Sequence, residues 1–113
     1  MSLHHAAPGE LIDVRPLGSG LKEFHSQALL KTGRLEVMRF VLAAGDHRPE
    51  HRIDGEMTVQ CIEGEVRLLA LGRTIVMRGG DLLYLDACDP YSMEAAIDSS
   101  LLVTMLIERE QKD

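Results

Sequence analysis

The sequence predicts an all-β domain, an antiparallel sandwich or barrel. Strand-like runs follow one another from His25 almost to the C-terminus, each closed by a turn residue or turn pair. One such break, Thr32-Gly33 between Ser26–Lys31 and Arg34–Leu42, is a hairpin signal: a turn dipeptide between two extended runs. No segment carries a convincing apolar stripe at helical spacing.

Taken in order, residues 1–10 hold Pro8 and Gly9 without periodicity and are expected to form a flexible N-terminal arm. Leu11–Val14 reads as a short strand before a connection carrying Pro16, Gly18, Ser19 and Gly20. In Arg34–Leu42 one face presents Leu35, Val37, Arg39 and Val41, the other Glu36, Met38, Phe40 and Leu42. Both are largely apolar, so this strand should be buried on both sides or lie at a subunit contact. Arg39 should then find a carboxylate or carbonyl partner. A charged loop with His47 and His51 follows. Beyond it Met57–Ile62 runs to Glu63-Gly64, Glu65–Ala70 to Leu71-Gly72, and Arg73–Arg78 to Gly79-Gly80-Asp81. Leu82–Leu85, Tyr91–Ala96 and Leu101–Ile107 complete the series. The β domain is expected to span residues 11–107, leaving 108–113 as a charged C-terminal tail.

A chain of 113 residues has room for one domain and can bury a core without staples. With two Tyr, two Phe and no Trp, aliphatic residues and Met must fill that core. A formal net charge of −6 argues against a nucleic-acid partner, because phosphate recognition requires a basic face. No apolar run approaches the ~20 residues of a membrane span, and the opening MSLHHAAPG has no hydrophobic signal core. Cys61 and Cys88 lie far apart and suggest no disulfide framework. Two free thiols and a cytoplasmic location are the expectation.

The stretch Gly45 to Gly64, GDHRPEHRIDGEMTVQCIEG, concentrates the residues with chemistry. Gly45, His51 and Gly64, with Pro49 two before the histidine, fall on a spaced pattern, and Gly80-Asp81-Leu82 opens a second one. In these residues the chain resembles the cupin superfamily over roughly 34–107. The resemblance implies a single double-stranded β-helix, a jelly-roll (cupin) barrel, with the glycines where strands reverse tightly. It also implies four metal-ligand positions. Here the second histidine of the first motif is Ile53, its glutamate position is Met57, and the histidine position of the second motif is Tyr91. Only His51 holds the family residue in register. The closest likeness is to the small single-domain, RmlC-like cupins.

A tight first-row metal site needs three or four convergent imidazole, carboxylate or thiolate donors, and Ile53 removes one of them. A strand slip, or a bulge at Asp54-Gly55, would turn Glu56 inward instead of Met57. With the register unshifted, His51, Ile53, Met57, Val59, Cys61 and Tyr91 line one mostly apolar cavity, with Met93 on the strand that Tyr91 begins. Tyr91, ordinarily neutral at pH 7, would donate a hydrogen bond more readily than bind a metal. A soft copper(I) site from Met57, Cys61 and His51 is a further possibility.

Three functions follow. The first is a cupin that binds a small, partly apolar molecule in the barrel, its metal site depleted. The second is a metal-dependent, dioxygenase-like enzyme with His51, Glu56 and His47 around a divalent ion: iron, manganese, zinc, nickel or copper. The third is metal-free isomerase-type chemistry with His51 as base and Tyr91 as acid. By family likeness, and because an open jelly roll has edges to protect, a homodimer is expected.

Overall fold

The computed structural model describes residues 5–107. The expected C-terminal tail, 108–113, lies outside them, as do the first four residues of the expected arm. Nine strands make up the described chain: β1 Gln27–Lys31, β2 Leu35–Leu42, β3 His47–His51, β4 Met57–Glu63, β5 Glu65–Ala70, β6 Arg73–Arg78, β7 Leu82–Leu85, β8 Tyr91–Ala95 and β9 Ser99–Leu106. The Thr32-Gly33 break is the β1–β2 hairpin, closed by Thr32 N–H on the Leu35 carbonyl at 2.8 Å. Residues 11–14 form no strand. The connection after them contains a short 3-10 helix, Gly18–Glu23, of a length the alternation pattern does not signal.

The strands form two separate antiparallel sheets. One has five strands in the order β1-β2-β9-β4-β7, the other four in the order β3-β8-β5-β6. This corrects the expectation of a barrel: the architecture is an all-β, two-sheet jelly roll whose sheets do not close on each other. Closure would require a hydrogen-bonded ladder running from one sheet into the other. The edges do not supply one. β7 is four residues long, and β3 carries Pro49, which has no N–H to donate, beside a register shift between Arg48 and His51. Bonds at two corners hold the sheets together instead. Gly80 N–H reaches the Cys61 carbonyl at 2.8 Å and Cys61 N–H reaches Asp81 at 2.9 Å. At the other corner Gly45 N–H donates to Ala95 and Ala95 N–H to Asp46.

Strand alternation decides what lies between the sheets. Along β4 and β9 the pairs Met57–Met105, Val59–Val103 and Cys61–Leu101 all point inward and are buried. They meet Val66, Leu68, Met77, Met93 and Ala95 from the other sheet. Four methionines stand in this core, the filler that a chain so poor in aromatics requires.

The outer side of β2 explains why both of its faces are apolar. The segment before β1 lies across it, so Arg39 is only 5 % exposed. Its guanidinium donates to the Arg15 carbonyl at 2.9 Å, the carbonyl partner the sequence demands. The Glu63 carboxylate pins the same segment, accepting Leu17 N–H at 2.7 Å and Gly18 N–H at 2.9 Å. Among the described residues no helix is long and apolar enough to cross a membrane.

Candidate functional site

The edge strand β3 builds the site, through a bulge that its sequence causes. Arg48 stands opposite Met93 and His51 opposite Tyr91, so three residues of β3 span what β8 covers in two. Directly opposed residues share a face of the sheet. The extra residue at Pro49–Glu50 therefore brings Arg48 and His51 to the same inner side, over Met93 and Tyr91. His47, opposite the exposed Glu94, is left on the other side. Without the bulge His47 and His51, four apart, would have faced the same way.

A cavity of about 260 Å³ results, lined by Phe40, Arg48, Pro49, Glu50, His51, Tyr91 and Met93. Of its lining, Met93 and Tyr91 are buried. Arg48 forms a wall by reaching from the four-stranded sheet to the five-stranded one. Its guanidinium lies 4.4 Å above the Phe40 ring and donates to Ser26 Oγ at 3.1 Å. The His51 ring meets Tyr91 edge-on, with centroids 6.1 Å apart. His51 is exposed, while Arg48 is half-buried and Tyr91 buried, so the recess offers an imidazole, a guanidinium and a phenol at different depths.

Burial pushes the Tyr91 phenol above its usual value, and nearby Arg48 offsets only part of that. Tyr91 is therefore a neutral donor throughout the physiological range. Tyr84 is raised too, to about 12, chiefly because its hydroxyl donates to Glu56 Oε2 at 2.5 Å. The chain's two tyrosines should thus both resist ionisation. An ultraviolet titration is expected to show less than about half the phenolate of free tyrosine at a pH near 10. A normal curve would contradict both assignments.

The remaining predicted site residues are placed as follows. Met57, Val59 and Cys61 lie in the packed core, and none borders the cavity at His51. Burial, then the charge of Asp81, raises the Cys61 thiol, which works against a thiolate ligand for a soft metal. Ile53 is half-buried against the core, and its carbonyl accepts Cys88 N–H at 2.8 Å. Met57 keeps its inward register, so Glu56 faces out, exposed and bonded to Tyr84. His51, Glu56 and His47 thus stand in three different places. Among the described residues no group of three His, Cys, Asp or Glu side chains is arranged to hold a metal ion. The donor set does not fit the cation that the resemblance implies. Both cysteines are free, Cys61 buried and Cys88 exposed.

Phe40 and Arg48 were not among the predicted site residues. Alternation assigns Phe40 to the face with Met38 and Leu42. The signal for Arg48 was Pro49, a residue that a regular strand tolerates only at an edge or a bulge.

Comparison with solved structures identifies the fold. A cupin superfamily protein from Desulfitobacterium hafniense superposes with a TM-score of 0.75 at 21% identity, over 91% of this chain and 100% of that one. An RmlC-like cupin from Shewanella frigidimarina gives 0.70 at 20%, over 96% and 95%. A salicylate 1,2-dioxygenase from Pseudaminobacter salicylatoxidans gives 0.64 at 18%, over 71% of this chain but only 25% of that one. The chain has the cupin fold. No protein-family model and no curated protein sequence matches it.

Proposed function

We propose that the chain binds a small, partly apolar molecule in the cavity between β3, β8 and β2, with the family's metal site depleted. One observation carries this reading: a recess of about 260 Å³ lined by Met93 and Phe40 together with three polar side chains, His51, Tyr91 and Arg48. Ligand sites commonly have this character, an apolar body with a few oriented polar groups. The ligand's apolar part would rest on Met93. Its acceptor atoms would meet the Tyr91 hydroxyl and Arg48, with His51 able to donate or accept.

A second reading, isomerase-type chemistry without a metal, is favoured by the His51–Tyr91 pair. A solvent-facing imidazole beside a neutral phenol is a base and an acid on one small volume. The unpaired sheet edges support a homodimer. The two free thiols suit a reducing, cytoplasmic setting.

The test is a thermal-shift screen of small ring compounds bearing a hydroxyl or carbonyl, followed by calorimetry on the hits. Tyr91→Phe and His51→Ala should each weaken binding about five- to tenfold, the worth of one hydrogen bond. Hits that bind both variants as tightly as the wild type would refute the site. Turnover lost in both variants, with a bell-shaped pH profile in the wild type, would select the isomerase reading. Stoichiometric metal in untagged protein, lost in His51→Ala, would replace both.

A further inference from the structure

We propose a second ligand site, beneath the N-terminal segment on the outer face of the five-stranded sheet, that binds a small organic carboxylate through Arg39. A cavity of about 440 Å³ lies there, bounded by Asp13, Arg15, Leu17, Phe24, Leu29 and Arg39 among others. It is separate from the recess at His51, with which it shares no lining residue.

Arg39 makes the inference. It is a permanent cation, 5 % exposed. Among the described residues no carboxylate lies within 4.0 Å of its nitrogens. The guanidinium donates to the Arg15 carbonyl, and its Nε has no protein acceptor at all. A buried charge so incompletely bonded is costly unless an anion completes it. The neighbouring carboxylates are already engaged. Asp13 takes two bonds from the Arg15 guanidinium, at 3.0 and 2.9 Å, and acts on Arg39 only at longer range. Glu63 accepts from Ser100 Oγ at 2.6 Å and from the N–H groups of Leu17 and Gly18, and acts on Arg39 only at longer range.

The lining fixes the chemical class. Two guanidiniums face one carboxylate in the lining, and the Glu63 carboxylate close behind leaves no surplus positive charge for more than one anionic group. That balance suits a monoanion and opposes a phosphate dianion. With one Nη on the Arg15 carbonyl and Nε closed off from solvent, a carboxylate would meet the guanidinium at its other Nη in a charge-assisted bond. Leu29, Leu17 and Phe24, the last 47 % exposed, offer an apolar surface to the rest of the molecule. The volume falls within the range of small-molecule sites. The segment carrying Leu17 and Gly18 would be drawn down on the ligand, since it already hangs from Glu63 and Arg39.

Benzoate, and benzamide as its uncharged counterpart, test this on the full chain by calorimetry and amide chemical-shift mapping. Benzoate should bind and benzamide bind at least about tenfold more weakly, the contribution of a charge-assisted bond. The perturbed amides should be those of Leu17, Gly18, Phe24 and Gln27. Arg39→Gln should abolish the shifts at these four amides and Phe24→Ala weaken them, whatever benzoate does in the recess at His51. Should Arg39→Gln fail to fold, the map on wild-type protein decides. Benzoate and benzamide binding equally, shifts confined to residues 48–51 and 91, or no binding at millimolar benzoate would each overturn the proposal.

Discussion

Gly64→Ala is expected to destabilise the protein by about 3–5 kcal/mol, combining strain at positive φ with overlap against backbone. Gly64 has φ +94, a conformation that side chains rarely adopt. A Cβ there would also overlap Ser99 Oγ and lie 2.5 Å from the Asp98 carbonyl oxygen. That hydroxyl accepts Glu65 N–H at 3.0 Å and donates to the Ile97 carbonyl at 2.7 Å, tying the β4–β5 turn to the start of β9. It cannot move aside without breaking both bonds, and the carbonyl is backbone. Gly72→Ala separates the two causes. Its φ is +74, yet nothing lies within 4 Å of the added carbon, so only about 1–2 kcal/mol of conformational cost applies. Urea midpoints of the two variants measure the difference. Equal losses would show that the close approach at Gly64 carries no energy.

The same glycine shows what the chain discloses to a reader of its sequence. A backbone position needing positive φ leaves a chemical trace, because few residues other than Gly fill it. Gly45, Gly64 and Gly80 were legible as framework positions through the cupin resemblance, and all three have φ between +87 and +99, which only glycine takes easily. Strand alternation was legible as well, since one face of β4 must be greasy if Met57, Val59 and Cys61 are to be buried. What escaped detection depends on pairing at a distance. Whether edges close into a barrel is decided by partners in other strands, and nothing local in β7 or β3 says so. The His51 cavity was partly hidden by one inserted residue. The bulge at Pro49–Glu50 reverses which residues of β3 share a face, admitting Arg48 and removing His47. The short helix at Gly18–Glu23 was missed because six residues offer no periodicity to recognise.

Removing the Glu63 side chain should be nearly as damaging as Gly64→Ala, and its effect should depend on pH. Burial tends to raise its carboxyl. The bonds from Ser100, Leu17 and Gly18, with the charge of Arg39, outweigh that and hold it below the usual 4.5. Glu63→Ala leaves two backbone donors and a hydroxyl without their acceptor, and takes a long-range countercharge from buried Arg39. A loss of about 2–4 kcal/mol at neutral pH is expected, since bonds to a charged group are the strong ones. The sign of the pH dependence follows from the depressed value. Below 4.5 the unfolded chain takes up the proton first, so the stabilisation from the ionised form is complete above that point. It fades as the pH falls through the lower folded value. The gap between wild type and Glu63→Ala, from urea melts between about pH 6 and pH 3, should therefore narrow toward acid. Hydrogen exchange at Leu17 and Gly18 should accelerate in the variant even at neutral pH, because the N-terminal segment loses its tether to β4. A gap that stays constant with pH would mean that Glu63 acts through packing alone. The segment over Arg39 would then be held by something other than its charge.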